Sequence, residues 1–190
     1  MQEYDESFFI TKANKRGGIT WFILMIIVSV YYGIKVGTGK LDVGYFFMFF
    51  TVGWLSFIIS KVLLKVKGED NKNYKWMLGI GYLLFYSVIA WTSLDQVSYV
   101  FILPLLSILI LYKDPKFIKV MMWITLFILL SSNMYKGLVK GMMDFVSSEE
   151  CALEFAVVIR CYVCTNMAIK HLVESDGALT ASIKGNLARV

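Results

Sequence analysis

The sequence predicts an all-α polytopic membrane protein, a six-transmembrane-helix bundle of three hairpins followed by a C-terminal cytoplasmic helix. Three observations lead there. The 190 residues are 58% hydrophobic and 16% aromatic, above the roughly half-apolar makeup of soluble domains. The apolar residues fall in runs near the ~20 residues that cross a hydrocarbon core of about 30 Å. Finally, Lys and Arg collect in alternate connections, as they do in loops kept inside the cell.

The chain divides accordingly into a cytoplasmic N-terminal segment, residues 1–17, a six-helix transmembrane domain, 18–170, and a cytoplasmic helix, 171–190, leading to an output module outside this chain. The first run, Ile19–Val36, follows Lys12, Lys15 and Arg16 and stops at Gly37, Gly39 and the turn-prone Lys40–Asp42. No small-residue cleavage motif precedes it, so it reads as a retained anchor rather than a signal peptide. The second, Gly44–Leu64, ends in the polar stretch Lys65–Lys75, whose Gly, Asp and Asn cannot sustain an apolar helix. The third, Trp76–Leu94, and fourth, Val97–Tyr112, are separated by Asp95 and Gln96 alone, which predicts an antiparallel hairpin. Pro115 disfavours helix at Asp114 and suits the opening turn of the fifth run, Phe117–Tyr135. After the connection Lys136–Glu150 comes the weakest run, Cys151–Ile169, which carries Glu154, Arg160 and Asn166. In the tail, Leu172, Leu179, Ile183 and Val190 fall on one stripe of an approximate heptad, so it should leave the membrane as a helix.

Orientation follows from the basic residues. One side collects Lys12, Lys15, Arg16, Lys61, Lys65, Lys67, Lys72, Lys75, Lys113, Lys116, Lys119, Lys170, Lys184 and Arg189; the other has Lys35, Lys40, Lys136 and Lys140. Both termini are therefore expected in the cytoplasm. The net charge of +5 and pI near 9.0 serve topology, not nucleic acid, because the basic residues flank apolar runs instead of forming one face. Trp21, Trp54, Trp76, Trp91, Tyr99 and Trp123 lie near span ends and read as interfacial anchors.

Enzyme chemistry finds little support in the residues. His171 is the single histidine, whereas a catalytic zinc site requires several ligands at organised spacing. Cys161 and Cys164 have CxxC spacing, but only Cys151 remains to relay electrons, so they read as small packing residues. The Glu149–Glu150 pair lacks the histidines of an intramembrane protease, and no phosphate loop or nucleophile triad occurs. No metal or cofactor is expected. Arg160 stands apart, because a guanidinium within a span costs several kcal/mol unless it snorkels, meets water or finds a partner. Its candidate partners are Glu154 and Asp95, which with Trp91 and Tyr99 would line a small polar cavity open to the outside. Pro104 reads as a kink within the fourth span, while Ser107, Asn133 and Asn166 read as interhelical hydrogen-bonding residues.

The tail Lys170-His171-Leu172, Glu174–Ala178 and Ser182–Val190 resembles the membrane–cytoplasm junction of methyl-accepting chemotaxis proteins of clostridial type. Glu3–Lys15 and Tyr99–Lys113 are similar to the membrane region of the same group. The resemblance implies the multi-span input domain of a homodimeric receptor, its output passing through a cytoplasmic coiled coil to an adaptor protein and a histidine kinase. A small transporter, or a subunit of one, is the alternative, with Arg160 and Asp95 lining the substrate path.

Overall fold

A computed structural model describes residues 6–92, 100–139 and 148–187. These form six α-helices: α1 (Glu6–Gly37), α2 (Val43–Lys67), α3 (Tyr74–Thr92), α4 (Ile102–Leu111), α5 (Pro115–Met134), continued by a π-helical turn at Tyr135–Val139, and α6 (Ser148–Leu187). Four segments are long and apolar enough to cross a membrane: Ser7–Gly37, Val43–Lys67, Pro115–Leu138 and Cys151–Ile183. The makeup is that of an all-helical membrane protein. The expectation of six spans meets two helices of a different kind. α4 has 10 residues and rises about 15 Å, half a hydrocarbon core. α3, with 19 residues, is diluted by tyrosine, tryptophan and glycine and buries about half of its residues, leaving Met77, Ile80, Leu84 and Trp91 exposed.

Sequence punctuation sets the helix ends. Asp42 caps α2, its Oδ2 accepting from the Tyr45 amide at 3.1 Å, and Gly68 ends that helix at φ 95°, a conformation glycine adopts without a Cβ clash. Asp114 is extended, as a residue before proline should be, and its Oδ1 accepts from the amides of Lys116 at 2.9 Å and Phe117 at 3.2 Å. Pro104 falls in the first turn of α4, where a helix has no use for that backbone donor. It therefore starts a helix instead of kinking one, which corrects the sequence expectation.

The core is aromatic. Trp21 is fully buried, edge-on to Phe57 at 5.6 Å and 6.3 Å from Tyr82, so it is an internal packing residue and not the interfacial anchor expected. Trp54 donates to Ser29 Oγ at 3.1 Å, and Trp76 packs on Phe117 at 4.8 Å. Trp91 and Trp123 are exposed. Lipid offers no hydrophobic drive for helix association, so close contact must supply it. Gly81 shows how: a Cβ there would lie 2.6 Å from Trp21 Cη2, and at Gly79 one would lie 2.9 Å from Met121 Sδ and Phe117 Cζ. α3 thus meets α1 on one side and α5 on the other with bare backbone. The outward surface carries Ile23, Ile27, Ile34, Phe127 and Leu130, all exposed, an apolar face that water would not tolerate over such an area.

The two ends of the bundle differ. Asn14 of α1 donates to the carbonyls of Glu69 and Asn71 at 2.9 and 3.2 Å. Lys75 of α3 bridges Asp114 at 2.6 Å. Lys113, held at φ 48°, pairs with Asp176 of α6 and lies 5.2 Å over the Phe9 ring. These contacts gather the start of α1, the α2–α3 and α4–α5 turns and the emergence of α6 at one end, which is the Lys- and Arg-rich end.

Candidate functional site, a polar seam between three helices

A buried polar seam runs where α3, α5 and α6 meet. Antiparallel packing of α5 and α6 sets Asn133 beside Glu154 and, about 12 Å deeper along each helix, Thr125 beside Tyr162. Asn133 Nδ2 donates to Glu154 Oε2 at 3.1 Å. Lys136, in the π-helical turn, is 8% exposed and attracts the Glu154 carboxylate electrostatically. The Thr125 hydroxyl donates to the Met121 carbonyl at 2.8 Å and lies 2.7 Å from Tyr162 Oη. Tyr86 of α3 is buried on the side facing Glu154 and Tyr162. Its hydroxyl is buried without a hydrogen-bond partner among the described residues and is electrostatically coupled to Glu154 and Tyr162. Trp91 stacks on Tyr135 at 5.4 Å with 22° between the rings, closing one flank at the level where the π-helical turn begins.

The seam contains some of the sequence-predicted residues and excludes others. Glu154 belongs to it, and Trp91 lies at its edge. Asp95 and Tyr99 lie outside the described residues. Arg160, expected to meet Glu154, is exposed on α6 with no ion pair or hydrogen bond among the described residues. Six helical positions separate it from Glu154, which places the two on faces about 120° apart. Ser107 bonds back to Leu103 of its own helix at 3.3 Å, so only Asn133 makes the interhelical bond expected of it. Asn166 Oδ1 is buried without a partner among the described residues. Cys161 is half-buried, Cys164 is exposed and both are free thiols.

Tyr86, Thr125, Lys136 and Tyr162 were missed from sequence. A usable signal existed for Tyr162. Val158, Tyr162, Thr165 and Ile169 are the buried positions of α6, and their spacing of four, three and four is a heptad seam. The same spacing continues without a break through Leu172, Asp176, Leu179 and Ile183, so the exposed stripe of the tail prolongs the buried stripe of the bundle. No group of three or more His, Cys, Asp or Glu that could hold a metal ion occurs among the described residues.

Chemically the seam offers a carboxylate, an ammonium, an amide and three hydroxyls inside an apolar bundle. Polar side chains at such depth are costly, and they mark ligand, proton or ion sites by default. Compared with protein-family models, curated proteins and solved structures, the chain finds no match.

Proposed function

We propose that the chain is the membrane-embedded input domain of a chemotaxis-type receptor in a bacterial plasma membrane, acting as a homodimer with both termini in the cytoplasm. The observation that carries the reading is α6. One helix of 40 residues holds Glu154 and Tyr162 of the polar seam at one end, then projects from the bundle with residues 170–183 exposed on every side. A ligand that changes the seam therefore changes the position of a projecting helix. The unbroken heptad gives that helix an exposed stripe, held to the bundle at Asp176 by Lys113, whose Leu179 and Ile183 suit a second copy of itself. The resemblance of the tail, the N-terminal segment and the Tyr99–Lys113 segment to chemotaxis receptors points the same way, and implies an adaptor and a histidine kinase downstream.

In this reading the bundle crosses the bilayer six times, with α3 partly shielded by its neighbours and the basic end inside. The gathering of Lys and Arg at one end supports that orientation. Glu154 and Tyr162, with Tyr86 and Asn133, form the sensing site, and a stimulus acts by favouring one of two packings of α6. Disulfide trapping in native membranes tests the dimer. Leu179→Cys and Ile183→Cys should cross-link between copies, while Ala181→Cys, on the far face, should not. Equal trapping at all three positions sinks the reading.

Transport is the second reading, favoured by the same polar seam, which would line a path through the bundle. Continuous α1, α2, α5 and α6 lack the broken helices typical of carriers. Uptake of a solute by the purified chain in proteoliposomes would put this reading first.

A further inference from the structure

We propose that the basic end of the bundle holds a second site, which binds an oxyanion: the phosphate of a lipid headgroup or a small free oxyanion. It is separate from the polar seam and does not depend on the sensory reading.

The site is built on two adjacent glycines of α1. Gly17 and Gly18 are both buried; polar atoms close on Gly18, while Gly17 meets Leu78 and Ile108 as well as the Tyr112 hydroxyl. Tyr74 Oη lies 3.3 Å from the position a Gly18 Cβ would take, with Lys61 Nζ closer still, and Tyr112 Oη lies 3.4 Å from the Gly17 position. One helical turn earlier on the same face, Asn14 is buried, its amide nitrogen engaged with Glu69 and Asn71. Four helices or their ends thus converge on one polar spot.

Three of these groups are buried with little to satisfy them: Tyr112 Oη and Asn14 Oδ1 have no partner among the described residues, and Tyr74 Oη has the Ser60 hydroxyl beside it. The neighbouring Ser60 hydroxyl gives its proton to the Phe57 carbonyl at 2.7 Å. Lys61 has no ion pair among the described residues; it lies 5.7 Å over the Phe57 ring and is attracted by Glu69 only at longer range. Two phenols and an ammonium make the pocket rich in donors and positively charged, with one amide oxygen as acceptor. That balance rejects a cation and suits an oxyanion, whose oxygens accept charge-assisted bonds from lysine and phenol. The amide oxygen suits a remaining acidic proton, as on hydrogen phosphate. Tyr74 also walls a mainly apolar cleft of about 280 Å³, lined by Leu63, Leu64, Trp76 and Met77 with Lys67, Asn71 and Asn73 at its polar side. A side chain at position 18 would have to displace the Lys61 ammonium.

Two measurements on the full chain separate the sources. In the first, native mass spectrometry follows release from nanodiscs of phosphatidylcholine with or without phosphatidylglycerol. In the second, the thermal midpoint of the detergent-solubilised chain is titrated with inorganic phosphate against chloride at equal ionic strength. A retained phosphatidylglycerol identifies a lipid headgroup; a saturable phosphate-specific rise identifies a free oxyanion. Whichever is found, Lys61→Gln should weaken it about tenfold or more, and Tyr74→Phe or Tyr112→Phe several-fold, as expected for loss of hydrogen bonds to a charged group. Arg16→Gln, an exposed charge at the same end, should leave it unchanged. Absence of both signals in the unmodified chain overturns the proposal without any variant having to fold. An equal loss from Arg16→Gln overturns it too, by showing a diffuse surface charge in place of a site.

Discussion

At Asp114 a single carboxylate ends one helix pair and starts the next helix, with one oxygen accepting two amides of α5 and the other meeting Lys75. Partial burial pushes its carboxyl up, but the Lys75 hydrogen bond, the Phe117 amide, the Lys75 charge and the Lys116 amide together hold it below the ordinary aspartate value. A depressed folded-state value means that stability is fully present above the unfolded-state value and is lost as pH falls through the folded one. Asp114→Asn should flatten that acid limb in thermal melts, and Asp114→Ala should cost about 1–2 kcal/mol at neutral pH. In the seam, Tyr162→Phe leaves Thr125 bonded to Met121, so the loss should be near the ~0.6 kcal/mol average for such bonds in bilayers; a fall above about 2 kcal/mol would show a more cooperative network. The turn at Asp114 was legible from sequence because proline chemistry is local. Arg160 was not, since its cost depends on which face of α6 looks inward, and tertiary packing decides that.

Among the elements, α3 and α6 carry the organisation. α3 looks in sequence like any apolar run, yet its tyrosines and glycines fit it between α1 and α5: large rings fill gaps and absent Cβ atoms let neighbours close in. Gly81→Val should destabilise by about 1–3 kcal/mol through overpacking against Trp21, measured as a lower midpoint in detergent. Trp21 reads as an anchor in sequence because it lies near a span end, and hydropathy cannot distinguish a ring facing lipid from one facing Gly81. For α6, the phase of the heptad is the prediction. With the chain joined in register to a kinase-controlling rod, a seven-residue insertion after His171 should preserve stimulus-dependent output, whereas a two-residue insertion, turning the seam by about 200°, should abolish or invert it. Equal output from both would remove the seam from the mechanism.

For the molecule as a whole, the apolar runs and alternating charge made the membrane class and the two unlike ends readable, because both depend on composition along the chain. The seam and the glycine pocket were not readable, since each joins residues from helices far apart in sequence. The basic end is joined by Asn14, Lys75 and Lys113 in successive contacts, so labelling should find Lys12, Lys72 and Lys116 on one side. Intact cells should protect all three from an impermeant amine reagent that reaches Lys40. Labelling of the three from outside would reverse the orientation.

The length of α6 has a mechanical consequence. From Ile169, the last buried position of the helix among the described residues, to Ile183 is about 21 Å, so a tilt of about 4° sweeps the far end through about 1.5 Å. The helix is a lever, and the Lys113–Asp176 contact grips it between pivot and tip. In the proposed sensory reading, small rearrangements around one carboxylate would thereby be magnified to the scale on which neighbouring coils change their meshing.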